Sequence, residues 1–107
     1  MTEINKMITL STGHLSQHTR SLMSGSSAEN AKNTTPEQKE LLDNIPVYPK
    51  LINQNCIGWF VYIPKEYDTK EIPSDLLSCI KYAEDNGINI ICFDNDGPIC
   101  SDIKYMQ

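Results

Sequence analysis

The sequence predicts a small α/β domain: a mixed sheet of four to five strands with two to three helices, containing a βαβ unit and a C-terminal hairpin. Three observations predict it. Residues 57–63 and 88–93 are short, nearly continuous apolar runs, the pattern of buried strands. Between them Leu76, Cys79, Ile80 and Ala83 follow the i, i+3, i+4, i+7 spacing of a helix with one buried face. With 107 residues and 39% apolar content the chain supports one modest core, so a single domain over 1–107 is expected.

In order along the chain, residues 4–10 read as a first strand with Ile4, Lys6, Ile8 and Leu10 on one face. Ser11, Thr12 and Gly13 offer caps for a helix expected over 14–23, with Leu15, Thr19, Leu22 and Met23 inward and His18 beside them. Residues 24–34 have no large apolar side chain and no period, and read as a mobile loop. Thr35 as N-cap, Pro36 at the first helical position and Gln38 closing a capping box predict a helix to Asp43, with Leu41 and Leu42 inward. Pro46 and Pro49 exclude a central strand around Val47 and Tyr48, leaving an extended connector or a short edge strand.

In the strand at 57–63, Ile57, Trp59, Val61 and Ile63 share one face, while Phe60 and Tyr62 take the other. Apolar groups on both faces imply a central strand covered twice, or one whose second face awaits a partner. Pro64 ends it, and 65–71 is a charged loop. Ser74 is the expected cap of the next helix and Asp75 suits its first turn. Lys81, Glu84 and Asp85 point outward, and Gly87 fits the left-handed position that stops the helix. Strand 88–93 follows at once, so the succession reads as a right-handed βαβ unit with a parallel pair. Beyond it Ile99, Ser101 and Ile103 alternate with Cys100, Asp102 and Lys104, a half-buried strand expected to form a hairpin with 88–93. Asp96-Gly97 supplies the turn, and Pro98 suits an edge.

Charge narrows the function classes. The net charge is −5. Residues 1–57 carry five basic and five acidic groups, whereas 58–107 carry four and nine, so the deficit lies in the second half. That balance argues against a direct nucleic-acid footprint. No apolar run is long enough to span a membrane, and the start has neither the basic nor the apolar region of a signal peptide, so a cytoplasmic protein is expected. Cys56, Cys79, Cys92 and Cys100 lack zinc-site spacing and are expected to be reduced, Cys79 and Cys92 serving as small hydrophobes.

Phe93-Asp94-Asn95-Asp96-Gly97 resembles the first motif of the haloacid-dehalogenase-like phosphatases, an apolar strand running into Asp-x-Asp-Gly. The resemblance implies Asp94 as nucleophile, Asp96 as acid/base and Mg²⁺ between them. It covers about six residues and departs at Pro98, where that family usually has Thr or Val. Only ten residues follow Gly97, yet those enzymes draw a Ser or Thr, a Lys and further carboxylates from later strands. Two carboxylates without a cation would repel a phosphoryl group. A turn rich in turn formers is therefore the expectation at 94–97. His14 and His18 have the i, i+4 spacing of a shared metal, but no third ligand is evident and the Glu of a metalloprotease motif is missing. Backbone donors at 11–14 could bind an anion, but one glycine and no lysine make this far weaker than a phosphate loop.

Ser-Thr-Gly-His at 11–14, Gly-Trp-Phe-Val-Tyr at 58–62, Pro-Ser-Asp-Leu-Leu at 73–77 and Phe-Asp-Asn-Asp-Gly-Pro at 93–98 together resemble a small bacterial family of unknown function associated with mobile elements. The resemblance implies a fold and a genetic setting, with no activity, cofactor or site residues. The function expected is a non-enzymatic, acidic protein-interaction module that inhibits a host nucleic-acid-processing or defence complex, of the anti-CRISPR or anti-restriction type. Its contacts would be Glu66, Asp68, Glu71, Asp75, Asp94, Asp96 and Asp102, with Phe60 and Tyr62 as aromatic anchors. The expected partner is a protein with a basic surface, a homodimer being the other assembly considered; neither membrane, nucleic acid nor cofactor is expected. The alternative is a metal-dependent enzyme or metal-binding module centred on Asp94, Asp96 and His14.

Overall fold

The computed structural model describes residues 6–24, 35–52 and 55–106. Four strands form one mixed sheet: β1 (Met7–Ser11), β2 (Val47–Ile52), β3 (Asn55–Tyr62) and β4 (Ile90–Asp94), in the spatial order β1-β4-β3-β2. Among the described residues three helices accompany it: α1 (Gln17–Met23), α2 (Pro36–Asn44) and α3 (Ser74–Asp85). Short 3₁₀ turns sit at Thr12–His14 and Thr69–Glu71.

One sheet face and the helices form the core. Leu10, Val47, Trp59, Val61, Ile91 and Phe93 supply the strand side; Leu22, Met23, Leu41, Leu76, Ile80 and Ala83 supply the helix side. The predicted stripe of α3 is buried in full, and Gly87 takes its left-handed place after the helix at φ 70°. The capping box of α2 forms as expected, with Gln38 N–H donating to Thr35 Oγ1 at 3.1 Å and Thr35 N–H to Gln38 Oε1 at 2.8 Å.

β2 is an edge strand, consistent with its prolines. The Tyr62 N–H donates to the Pro46 carbonyl, so residues 46, 48 and 50 face β3 and the nitrogen of Pro49 faces outward, where it interrupts no ladder bond. A bulge follows between Lys50 and Leu51.

Several expectations are corrected. β3 and β4 pair antiparallel, with Tyr62 opposite Ile90; the parallel pair is β1 with β4. The reason is the path between β3 and β4. Connector 63–73 carries the chain to the far end of the sheet, and α3 brings it back to the end where β3 finished. No strand forms beyond β4 among the described residues, so the expected hairpin over 99–104 is absent. Both edges of β4 are already taken, by β1 and β3. The turn itself exists, closed by Gly97 N–H on the Asp94 carbonyl at 2.9 Å, but the chain then crosses to β1, where Pro98 accepts from Ser11 N–H. The expected helix over 14–23 begins only at Gln17, because Leu15 is extended and Ser16 caps, accepting from Thr19 N–H. Ser74 is the first residue of α3 rather than its cap; Pro73 holds that place without a side-chain bond. Of the loop expected at 24–34, residues 25–34 lie outside the described residues, as does Ile4 of the first strand.

Candidate functional site

The sheet has a second face, and its centre is a row of three residues. Lys50 on β2 stands opposite Gly58 on β3, and Gly58 stands opposite Asp94 on β4. Because Gly58 has no side chain, Lys50 reaches across β3 and Nζ donates to Asp94 Oδ2 at 2.7 Å. The ammonium lies 5.9 Å from the Phe60 ring centroid and 3.6 Å from Cys92 Sγ. Asp94 Oδ1 accepts from Asp96 N–H at 2.8 Å. The Lys50 bond and the Asp96 N–H hold the Asp94 carboxyl below the usual carboxylate range; the bond to Asp94 raises Lys50. Asp94 is therefore a paired carboxylate at neutral pH and a weak base. Lys50 was not among the expected site residues. Its signal was Gly58, since glycine inside a strand marks the close approach of another group.

His14 lies elsewhere in the chemistry. It is fully buried in the 3₁₀ turn after β1. Cys100 N–H donates to Nε2 at 2.9 Å, and Nδ1 lies 3.0 Å from the Lys104 carbonyl oxygen. An amide can only donate and a carbonyl can only accept, so Nδ1 carries the proton. Tyr105 packs edge-on against the ring, with centroids 5.7 Å apart. Both ring nitrogens thus bind the C-terminal segment to the turn. His18 is on α1 and exposed, 3.2 Å from Glu37 Oε1. The pair expected at i, i+4 does not share a helix. Among the described residues no group of three or more His, Cys, Asp or Glu side chains is placed to hold a metal ion. Two backbone donors of residues 11–14 are engaged: Ser11 N–H bonds the Pro98 carbonyl and Gly13 N–H bonds Ser11 Oγ.

Asp75 is also a structural group. Its oxygens accept from Ser16 N–H and from the hydroxyl of buried Thr19, each at 2.7 Å, tying the start of α3 to the start of α1. Burial raises its carboxyl, but these bonds and those from its own first helical turn outweigh burial and hold it below the ordinary value.

The remaining acidic residues do not form one patch. Asp68 and Glu71 sit on the connector beside α2. The backbone of Asp68 is bonded on both sides by the Asn44 amide, and its carboxylate caps the 3₁₀ turn through Lys70 N–H. Glu71 faces Glu40 of α2. That neighbour, with Asp68 nearby, pushes the Glu71 carboxyl above its ordinary value. Glu71 and Glu40, with Glu37, His18 and Lys70, rim a groove of about 300 Å³ whose floor is Leu22, Leu41 and Ile72. Glu37, Glu40 and Asp43 were not among the expected contacts, although their i, i+3, i+6 spacing along α2 was readable. Glu66 and Asp102 are exposed elsewhere, and Asp96 is exposed in the turn after β4.

Phe60 is half-buried beside Lys50, and Tyr62 is exposed, packed edge-on against Tyr48 with centroids 5.5 Å apart. Both stand on the face turned away from the helices. The four cysteines are free, and burial pushes the Cys79 thiol up to about 12. Among the described residues no helix is long and apolar enough to cross a membrane.

Comparison with curated proteins and with solved structures finds no match. A family model does match, and it spans residues 7–107, every strand and helix of the fold. The chain belongs to the family described as "Family of unknown function (DUF5983) C-terminal domain".

Proposed function

We propose that this chain is a non-enzymatic interaction module that presents the acidic groove of α1, α2 and the connector to a cytoplasmic partner with a basic surface. The observation that carries the reading is that Glu37, Glu40 and Glu71 line one groove. Like charges held together oppose folding, and a cationic partner would relieve them. Beneath the carboxylates lie Leu22, Leu41 and Ile72, an apolar floor suited to the methylene stem of a lysine or arginine. The groups that first suggest chemistry have other work: Asp94 pairs with Lys50, and His14 holds the C-terminal segment. The partner class we infer is a nucleic-acid-processing or defence complex, whose basic channel such an acidic surface would occupy. The protein would then be an inhibitor of the anti-CRISPR or anti-restriction type, encoded by a mobile element.

The test is co-purification from the native host, with the double variant Glu40→Lys, Glu71→Lys as comparison. A partner held by the groove is released at ~1 M salt, where charges are screened beyond ~3 Å. It binds the double variant ~10-fold or more weakly. A partner that the double variant retains in full, or that resists high salt, contradicts the proposal.

A further inference from the structure

Independently of the acidic groove, we propose that residues 98–106 form a strap latched over the start of α3 by the His14 imidazole, and that protonation of that ring releases it. Among the described residues beyond β4 there is no strand or helix. Of the apolar side chains there, Ile103 is buried and Cys100 partly so, whereas Ile99, Tyr105 and Met106 are each 40% exposed or more. A segment with so little apolar burial opens locally at much less than the cost of global unfolding. Its hold is mainly polar. Ser11 N–H donates to the Pro98 carbonyl at one end and Met106 N–H to the Gly13 carbonyl at the other, each at 2.8 Å. Between them His14 makes two bonds, Nε2 accepting from Cys100 N–H at 2.9 Å and Nδ1 donating to the Lys104 carbonyl at 3.0 Å.

Only the neutral ring with its proton on Nδ1 makes both bonds. A second proton, on Nε2, would meet the Cys100 N–H donor to donor, on a side chain with no exposed surface. The amide would be left without its acceptor, and the ring would hold a charge out of reach of water. With the strap lifted, both groups are hydrated. The open form therefore binds the extra proton more readily than the closed one. Closure is favoured on the alkaline side of the imidazole range and weakens as pH falls through it. Two charged groups share the cavity of about 150 Å³ that His14 lines, Asp75 on α3 and Lys104 on the strap. They act on an imidazolium with opposite signs, and both oxygens of Asp75 are already occupied by Ser16 N–H and the Thr19 hydroxyl. Cys100 and Tyr105 also face the ring. Thiols and phenols are uncharged in the acid range. Asp102 is exposed and turned towards Tyr82 of α3. Among the described residues no facing carboxylate is thus free to pair with the imidazolium while the strap is closed.

Amide hydrogen exchange of the full chain, read residue by residue and corrected for the intrinsic effect of pH, tests this. The protection of Cys100, Ile103 and Met106 is expected to fall ~10-fold or more between pH ~7.5 and ~5, while that of Ile91 and Phe93 in β4 holds. The chain has two histidines, so His18→Gln leaves His14 as the sole imidazole. Its nitrogen NMR spectrum is expected to show the proton on Nδ1 at pH ~7.5, and both nitrogens protonated in the species whose strap is unprotected. His14→Gln removes the titrating ring, and its strap is expected to exchange alike at both pH values. Should that variant not fold, the His18→Gln spectrum decides together with the exchange data. Equal protection of the strap at pH ~5 and ~7.5 overturns the proposal. So does a strap that opens in acid while His14 stays neutral, or an acid response that survives in folded His14→Gln.

Discussion

A methyl group at position 58 would run into the Phe93 carbonyl oxygen, a backbone atom that cannot turn aside. Gly58 thus serves two ends: it lets β3 and β4 close up, and it clears the path from Lys50 to Asp94. Gly58→Ala is expected to cost ~3 kcal/mol or more, read as a lowered urea midpoint. Asp75 is a second such position. Asp75→Ala leaves the hydroxyl of buried Thr19 and Ser16 N–H without their acceptor, at a cost of ~1–3 kcal/mol in the same measurement. Asp94 has a pH signature. Its folded carboxyl lies below the ordinary 3.8, so its stabilisation is present above that value and is lost as pH falls through the folded one. Between pH ~5 and ~2, Asp94→Asn should therefore lose less stability than the wild type in thermal melts. A variant as acid-sensitive as the wild type would show that the Lys50 pair contributes nothing.

At the scale of elements, the legible parts were those whose signals are local. The capping box at Thr35 and Gln38, the stripe of α3 and the stop at Gly87 each depend on residues within a few positions of one another. The start of α1 was less legible because Ser11 and Ser16 both cap, each a different turn. The direction of β4 was not readable, since it depends on whether connector 63–73 spans the sheet before α3 does. Between α2 and that connector, the electrostatics carry the opposite sign to Asp94. Glu71 is raised above its ordinary 4.5 by Glu40, so stability is fullest below that value and falls as pH rises through the folded one. Glu40→Gln is expected to raise the thermal midpoint at pH 7 and to leave it nearly unchanged at pH ~3, where Glu71 is protonated. A lower midpoint at pH 7 would show that the two carboxylates do not repel.

For the molecule as a whole, the fold separates what the sequence had placed together. The acidic residues of the second half read as one surface, but the structure divides them. Asp94 goes to the sheet face and is neutralised, Asp75 goes between helices, and Asp68 and Glu71 join α2. Charge counted by halves of the chain hid Glu37 and Glu40, because the basic residues of the first half cancelled them in the sum. The Lys50–Asp94 pair spans 44 positions, a separation no local pattern reports, although Gly58 marked where something passes close. An amide-resolved NMR titration with a short arginine- and lysine-rich peptide tests the central claim most directly. Shifts confined to residues 17–23, 36–44 and 65–73, and abolished in ~1 M salt, are what the acidic groove predicts. Shifts centred on the turn at 94–97, or none at all, would contradict it.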